Sequence, residues 1–86
     1  MRLKEQFVTK DMGDDQVMVA VGGSAFSGVV RSNSTAAYIV DLLKEEITRE
    51  KIITAMLERY DVSEERVSVD VDKILDTLRS IGALDE

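Results

Sequence analysis

The chain has 86 residues, 44% of them hydrophobic and 33% charged, which suits one small domain with a modest core. It contains no Cys, His, Pro or Trp. These zeros exclude a disulfide framework, a Cys/His zinc site and any Ser–His or Cys–His nucleophile. The longest apolar run, residues 17–21, is far too short to cross a bilayer. The first six residues, Met1-Arg2-Leu3-Lys4-Glu5-Gln6, lack the apolar core of a signal peptide. A cytoplasmic protein with no membrane partner is the expectation.

Charge is uneven. Eleven basic and seventeen acidic residues give a net charge of −6. Residues 1–33 hold four of each, so all the excess negative charge lies in residues 34–86. Nucleic-acid binding needs clustered Lys and Arg to displace counterions, so such a surface repels it. A basic peptide is attracted instead, although the plainer reading is charge for solubility.

The first third reads as strands. Residues 7–12, Phe7-Val8-Thr9-Lys10-Asp11-Met12, mix apolar and polar positions, and Gly13-Asp14-Asp15 is turn chemistry. Residues 16–21 are rich in Val, with Val17, Val19 and Val21 on one face and Met18 and Ala20 on the other. Being apolar on both faces suits a central strand. Gly22-Gly23 ends it, and residues 26–32 supply a third strand whose Gly28, Ser27 and Arg31 suit an edge.

The remainder reads as three helices. Asn33-Ser34-Thr35 supplies a cap, followed by Ala36, Ile39, Val40 and Leu43 at helical spacing. Thr48 caps the second helix, with Glu50 in its first turn and a stripe of Ile52, Ile53, Met56, Leu57 and Tyr60. Asp61-Val62 breaks it and Ser63 caps the third. That helix carries Val67, Val71, Ile74, Leu78 and Ile81 as its buried stripe, with Leu75 beside them, and Gly82 ends it. Leu84 in the tail has the chance to pack back. The expected class is α+β: a three-stranded antiparallel sheet followed by three helices, winged-helix-like. It forms a single domain over residues 1–86, with a β-meander in 1–33 and a three-helix unit in 34–86.

No residue set points to catalysis, metal or cofactor. Asp72 and Asp76 are helical neighbours on the polar side, where carboxylates keep ordinary pKa values and make poor general acids. Asp70-Val71-Asp72 is helical rather than a ligand loop. Gly22-Gly23-Ser24 lacks the Lys and following helix of a phosphate cradle and reads as a turn. A binding module remains. The free edge of the third strand offers unpaired N–H and C=O groups to an extended peptide, and the last helix walls the groove. Val69 lies opposite the buried stripe and is expected to be exposed.

Several segments in order resemble one family. They are Leu3-Lys4-Glu5-Gln6-Phe7-Val8, Val17-Met18-Val19, Asn33-Ser34-Thr35-Ala36-Ala37 and Tyr38-Ile39-Val40-Asp41-Leu42-Leu43. Thr48-Arg49-Glu50-Lys51-Ile52, Leu57-x-x-Tyr60-Asp61-Val62 and the closing Asp70-Val71-x-x-Ile74-Leu75-x-x-Leu78-x-x-Ile81-Gly82-Ala83-Leu84 complete the set. Over nearly its whole length the chain resembles the proteins related to pyrroloquinoline quinone synthesis protein D, the RiPP recognition elements. It departs from them at Ser32, usually apolar, and at Ala36, usually Gly.

The resemblance implies capture of the leader segment of a ribosomally made precursor peptide, added as a strand beside the third strand and against the third helix. It also implies presentation to a modifying enzyme, often a radical S-adenosylmethionine (SAM) enzyme. On this chain the strand is Ser27, Gly28, Val29, Val30, Arg31 and Ser32. Candidate walls on the facing helix are Val67, Val71, Ile74 and Leu75, although plain core packing is their simpler role. Arg31 is placed to pair a leader carboxylate, and Asp70 or Lys73 to hold a polar group. The expected form is a monomer or weak homodimer. A winged-helix DNA-binding regulator and a dimerising structural domain share the outline. The acidic helical half argues against the first, and self-pairing through the same free edge would define the second.

Overall fold

The computed structural model describes residues 1–21 and 29–86. The Gly22-Gly23 break and the first part of the expected third strand, including Ser27 and Gly28, lie outside the described residues.

Three strands form an antiparallel sheet in the order β2–β3–β4: β2 at Phe7–Met12, β3 at Asp15–Ala20 and β4 at Val29–Ser32. The β2–β3 turn is tight because Gly13 takes a φ of +74°, a conformation that costs Gly little. In register, Thr9, Met18 and Val30 form one row and Val8, Val19 and Val29 another. The first row faces the helices, where Met18 is buried. The second row faces outward, with Val8 and Val29 exposed. β3 is central, as its valines suggest, but the residues its pleat buries are Gln16 and Met18.

The three helices are α1 (Ser34–Leu42), α2 (Arg49–Arg59) and α3 (Glu64–Ser80). Each begins at the expected cap. Asn33 Oδ1 accepts from the Ala36 N–H at 2.9 Å, Thr48 Oγ1 from Lys51 at 3.2 Å and Ser63 Oγ from Arg66 at 3.2 Å. These bonds satisfy N–H groups that the first helical turn leaves free. α3 ends where Gly82 adopts a φ of +72°, and Ala83 N–H donates back to the Leu78 carbonyl at 2.8 Å.

A two-stranded ribbon, absent from the sequence reading, closes the fold. β1 (Arg2–Leu3) pairs antiparallel with β5 (Leu84–Asp85), placing Leu3 opposite Leu84. Leu3 N–H donates to the Leu43 carbonyl at 2.7 Å, which ties the ribbon to the end of α1. The core gathers Leu3, Phe7, Met18, Ile39, Leu43 and Ile52 with Met56, Val67, Val71, Leu75 and Leu78. Neither the sheet nor the helices form a core alone. The stripe of α3 is shifted from its expected line. Val67, Val71, Leu75 and Leu78 are buried, whereas Ile74 and Ile81 are only half-buried. Leu75, not Ile74, occupies the centre. Among the described residues no helix is long and apolar enough to cross a membrane.

Candidate functional site

β4 is the outermost strand of its sheet, so among the described residues no strand pairs with its second edge. Side chains alternate along it: Val29 and Arg31 point outward, Val30 and Ser32 toward the helices. Arg31 donates to Asp15 on β3 at 2.9 Å. Its charge is therefore drawn over the sheet face instead of along the free edge, so it does little to blunt that edge.

Beside this edge lies a hollow of about 220 Å³ between β4, the start of α1 and the second half of α3. Val30, Ser32, Val40, Ile74, Thr77 and Leu78 are among its walls, with Arg31 at its rim. An adjoining hollow of about 340 Å³ shares Asn33, Ala36 and Ile74 and adds Arg66, Asp70 and Lys73. The helix face responsible is simple geometry: Asp70, Ile74 and Thr77 stand at spacings of four and three along α3.

The structure thus brings Val30, Arg31, Ser32, Asp70, Lys73 and Ile74 around one groove. Val29 stands on the outer face of the sheet, 64% exposed, and is not among the groove's walls. Val71 and Leu75 are 0 and 1% exposed and belong to the core beneath α3; Val67, 2% exposed, is core too but also lines a further hollow nearer the start of that helix. Asn33, Ala36, Thr77 and Leu78 also wall the groove, beyond the residues that the sequence singles out. Thr77 was discoverable, because it lies one turn beyond Ile74. Asn33 doubles as the cap of α1. Val69 is exposed, away from this groove.

One carboxylate departs from its expected role. Asp72 does not stand idle in water. It accepts from Arg49 Nε at 2.7 Å and from Nη2 at 3.1 Å, which joins α3 to the start of α2. That hydrogen bond holds the Asp72 carboxyl below the ordinary carboxylate range. The pairing is structural. Among the described residues no group of three or more acidic side chains is placed to hold a metal ion.

The family model for coenzyme PQQ synthesis protein D (PqqD) matches residues 15–84. No curated protein matches the sequence. Among solved structures, one described as TbiB1 in complex with the TbiA(beta) leader peptide superimposes with a TM-score of 0.79. The match is 21% identical in sequence and covers 99% of this chain and 100% of that chain, a likeness of fold.

Proposed function

The chain belongs to the PqqD family, and from that premise we propose that residues 1–86 act as a non-catalytic peptide-binding module. It captures the leader segment of a ribosomally made precursor by strand addition to β4. It then presents the precursor to a modifying enzyme of the radical SAM type. The observation that carries the reading is the edge of β4, which no strand among the described residues pairs, lying directly beside the apolar groove of Val30, Ile74 and Leu78. The similar fold of TbiB1, solved with a leader peptide, supports it.

The energetics assign roles to the two parts. Each backbone hydrogen bond to the edge contributes only about 0.5–1.5 kcal/mol net. Ordering each leader residue costs about 1–2 kcal/mol. The edge therefore sets direction and register while adding little net affinity. Affinity comes from apolar leader side chains in the groove, worth about 1.5–3 kcal/mol each. Lys73 adds attraction for a leader carboxylate at the rim.

The test is selection from a displayed library of random-sequence peptides on the wild-type chain. Peptides that emerge are then measured against Val29→Pro and Ile74→Asp, with circular dichroism to confirm folding. Val29 is exposed, so Pro there removes an edge N–H without disturbing the core. Selected peptides should lose affinity for both folded variants. Unchanged affinity for both would exclude edge capture.

A further inference from the structure

The groove beside β4 does not end at the start of α1. Its second part, near Arg66 and Asp70, continues into a third hollow of about 200 Å³ walled by Met56, Tyr60, Val62 and Val67. The three share lining residues in turn, so they form one trough along α3. The far end is apolar. Val62, in the break between α2 and α3, is 46% exposed. Tyr60 is held in place: its ring meets Tyr38 edge-on at 6.2 Å, and the Arg59 guanidinium lies 4.5 Å from the Tyr38 centroid and 5.8 Å from that of Tyr60. A wall fixed in advance loses little freedom when a ligand arrives.

The middle of the trough carries two cations, Arg66 and Lys73, against one carboxylate, Asp70, in a chain whose overall charge is −6. Arg66 is 74% exposed and its contact with Asp70 is a long 3.4 Å. Lys73, also at the rim, has no carboxylate partner among the described residues. At physiological salt, fields from exposed charges fade over about 8 Å. This local excess of positive charge thus acts on a bound chain more than the distant acidic surface does.

Resting on the proposed leader capture, we infer that the same peptide extends into this far end. A second apolar side chain fills the Met56–Tyr60–Val62–Val67 hollow, and a carboxylate between the two anchors faces Arg66 and Lys73. Antiparallel pairing is the slightly more stable mode. It places the peptide's N-terminal flank at the Ser32–Asn33 end of β4, toward the hollow. From Ile74 to Val67 is seven residues of α3, about 10 Å of helix axis. An extended chain covers that in about three residues. The two anchors therefore stand about three or four positions apart, the second being N-terminal to the first.

The peptides selected on the wild-type chain test this. Replacing the N-terminal apolar residue by Ala should weaken binding to wild type about 10- to 100-fold. The same replacement should make less than about a twofold difference on Val62→Asp, whose hollow no longer accepts an apolar group. Val69→Asp, on an exposed position away from the trough, should behave as wild type and controls for added charge. Circular dichroism confirms folding, and Val62→Thr serves in place of Val62→Asp if that variant unfolds. If peptides bind through β4 but the N-terminal replacement has no effect, or acts equally on the Val62 variant, the second anchor is overturned while leader capture stands. If a C-terminal residue shows the coupling instead, the direction is overturned. If no selected peptide depends on β4, both readings fall.

Discussion

Arg49, the first residue of α2, grips Asp72 of α3 with two hydrogen bonds at 2.7 and 3.1 Å. The pair bridges residues 23 apart in sequence and fixes how α2 enters against α3. Neither residue lines the groove, so the pair serves the fold. Its consequence is a pH dependence. A carboxyl held below its ordinary value stabilises the folded chain above that value and loses the contribution as pH falls through the lowered one. Asp72→Asn should therefore lower the thermal midpoint at neutral pH. The gap to wild type should close in acid, once the wild-type carboxyl is protonated in both states. Thermal melts across that range check it. Both side chains are substantially exposed, so the effect is modest and salt should shrink it.

Gln16 is 1% exposed on the inner face of β3. Its amide donates to Asp11 at 3.3 Å and Asp41 at 3.0 Å, while Oε1 has no partner among the described residues. A buried acceptor without a donor is costly, and both carboxylates reach water. Gln16→Met, similar in volume, should leave stability unchanged or raise it by up to about 1 kcal/mol. Met18→Ala, on the same face, should cost about 2–5 kcal/mol. Chemical denaturation distinguishes the two.

Ile74 and Leu75 are neighbours with different tasks. Leu75 is 1% exposed in the core, and Leu75→Ala should cost about 2–5 kcal/mol of stability. Ile74 faces the groove, so Ile74→Ala should cost markedly less stability. It should weaken library-selected peptides about tenfold. Paired denaturation and anisotropy titrations read both effects.

Gly82 has room for a side chain, with no heavy atom within 4 Å of where a Cβ would stand. Its φ of +72° is the obstacle. Gly82→Ala should cost about 1–2 kcal/mol from backbone conformation alone. Because Gly82 turns the chain into β5, hydrogen exchange should quicken at Lys4, whose N–H donates to the Ala83 carbonyl, before the core responds.

The sequence was most legible where the physics is local. Asn33, Thr48 and Ser63 each act on an N–H three residues away, so the helix starts were readable. Gly13 and Gly82 marked turns for the same reason. What stayed hidden depends on distant chain. Strands of two residues carry no period, so Leu3 and Leu84 gave no sign of pairing. Arg49 and Asp72 looked like ordinary surface charges. On α3, Ile74 and Leu75 are only about 100° apart, and α1 and α2 decide which one enters the core. The groove followed suit: Ile74, Asp70 and Lys73 were anticipated, whereas Asn33 and Ala36 required knowledge of how α1 crosses α3.

The central claim is that β4 accepts a foreign strand on its outer edge. Amide hydrogen exchange on the chain, with and without a saturating library-selected peptide, tests it most directly. Edge capture predicts new protection at alternate amides of Val29–Ser32, accompanied by shifts at Ile74 and Thr77. Saturation with no added protection along β4, and changes confined to β2 or to the β1–β5 ribbon, would contradict it.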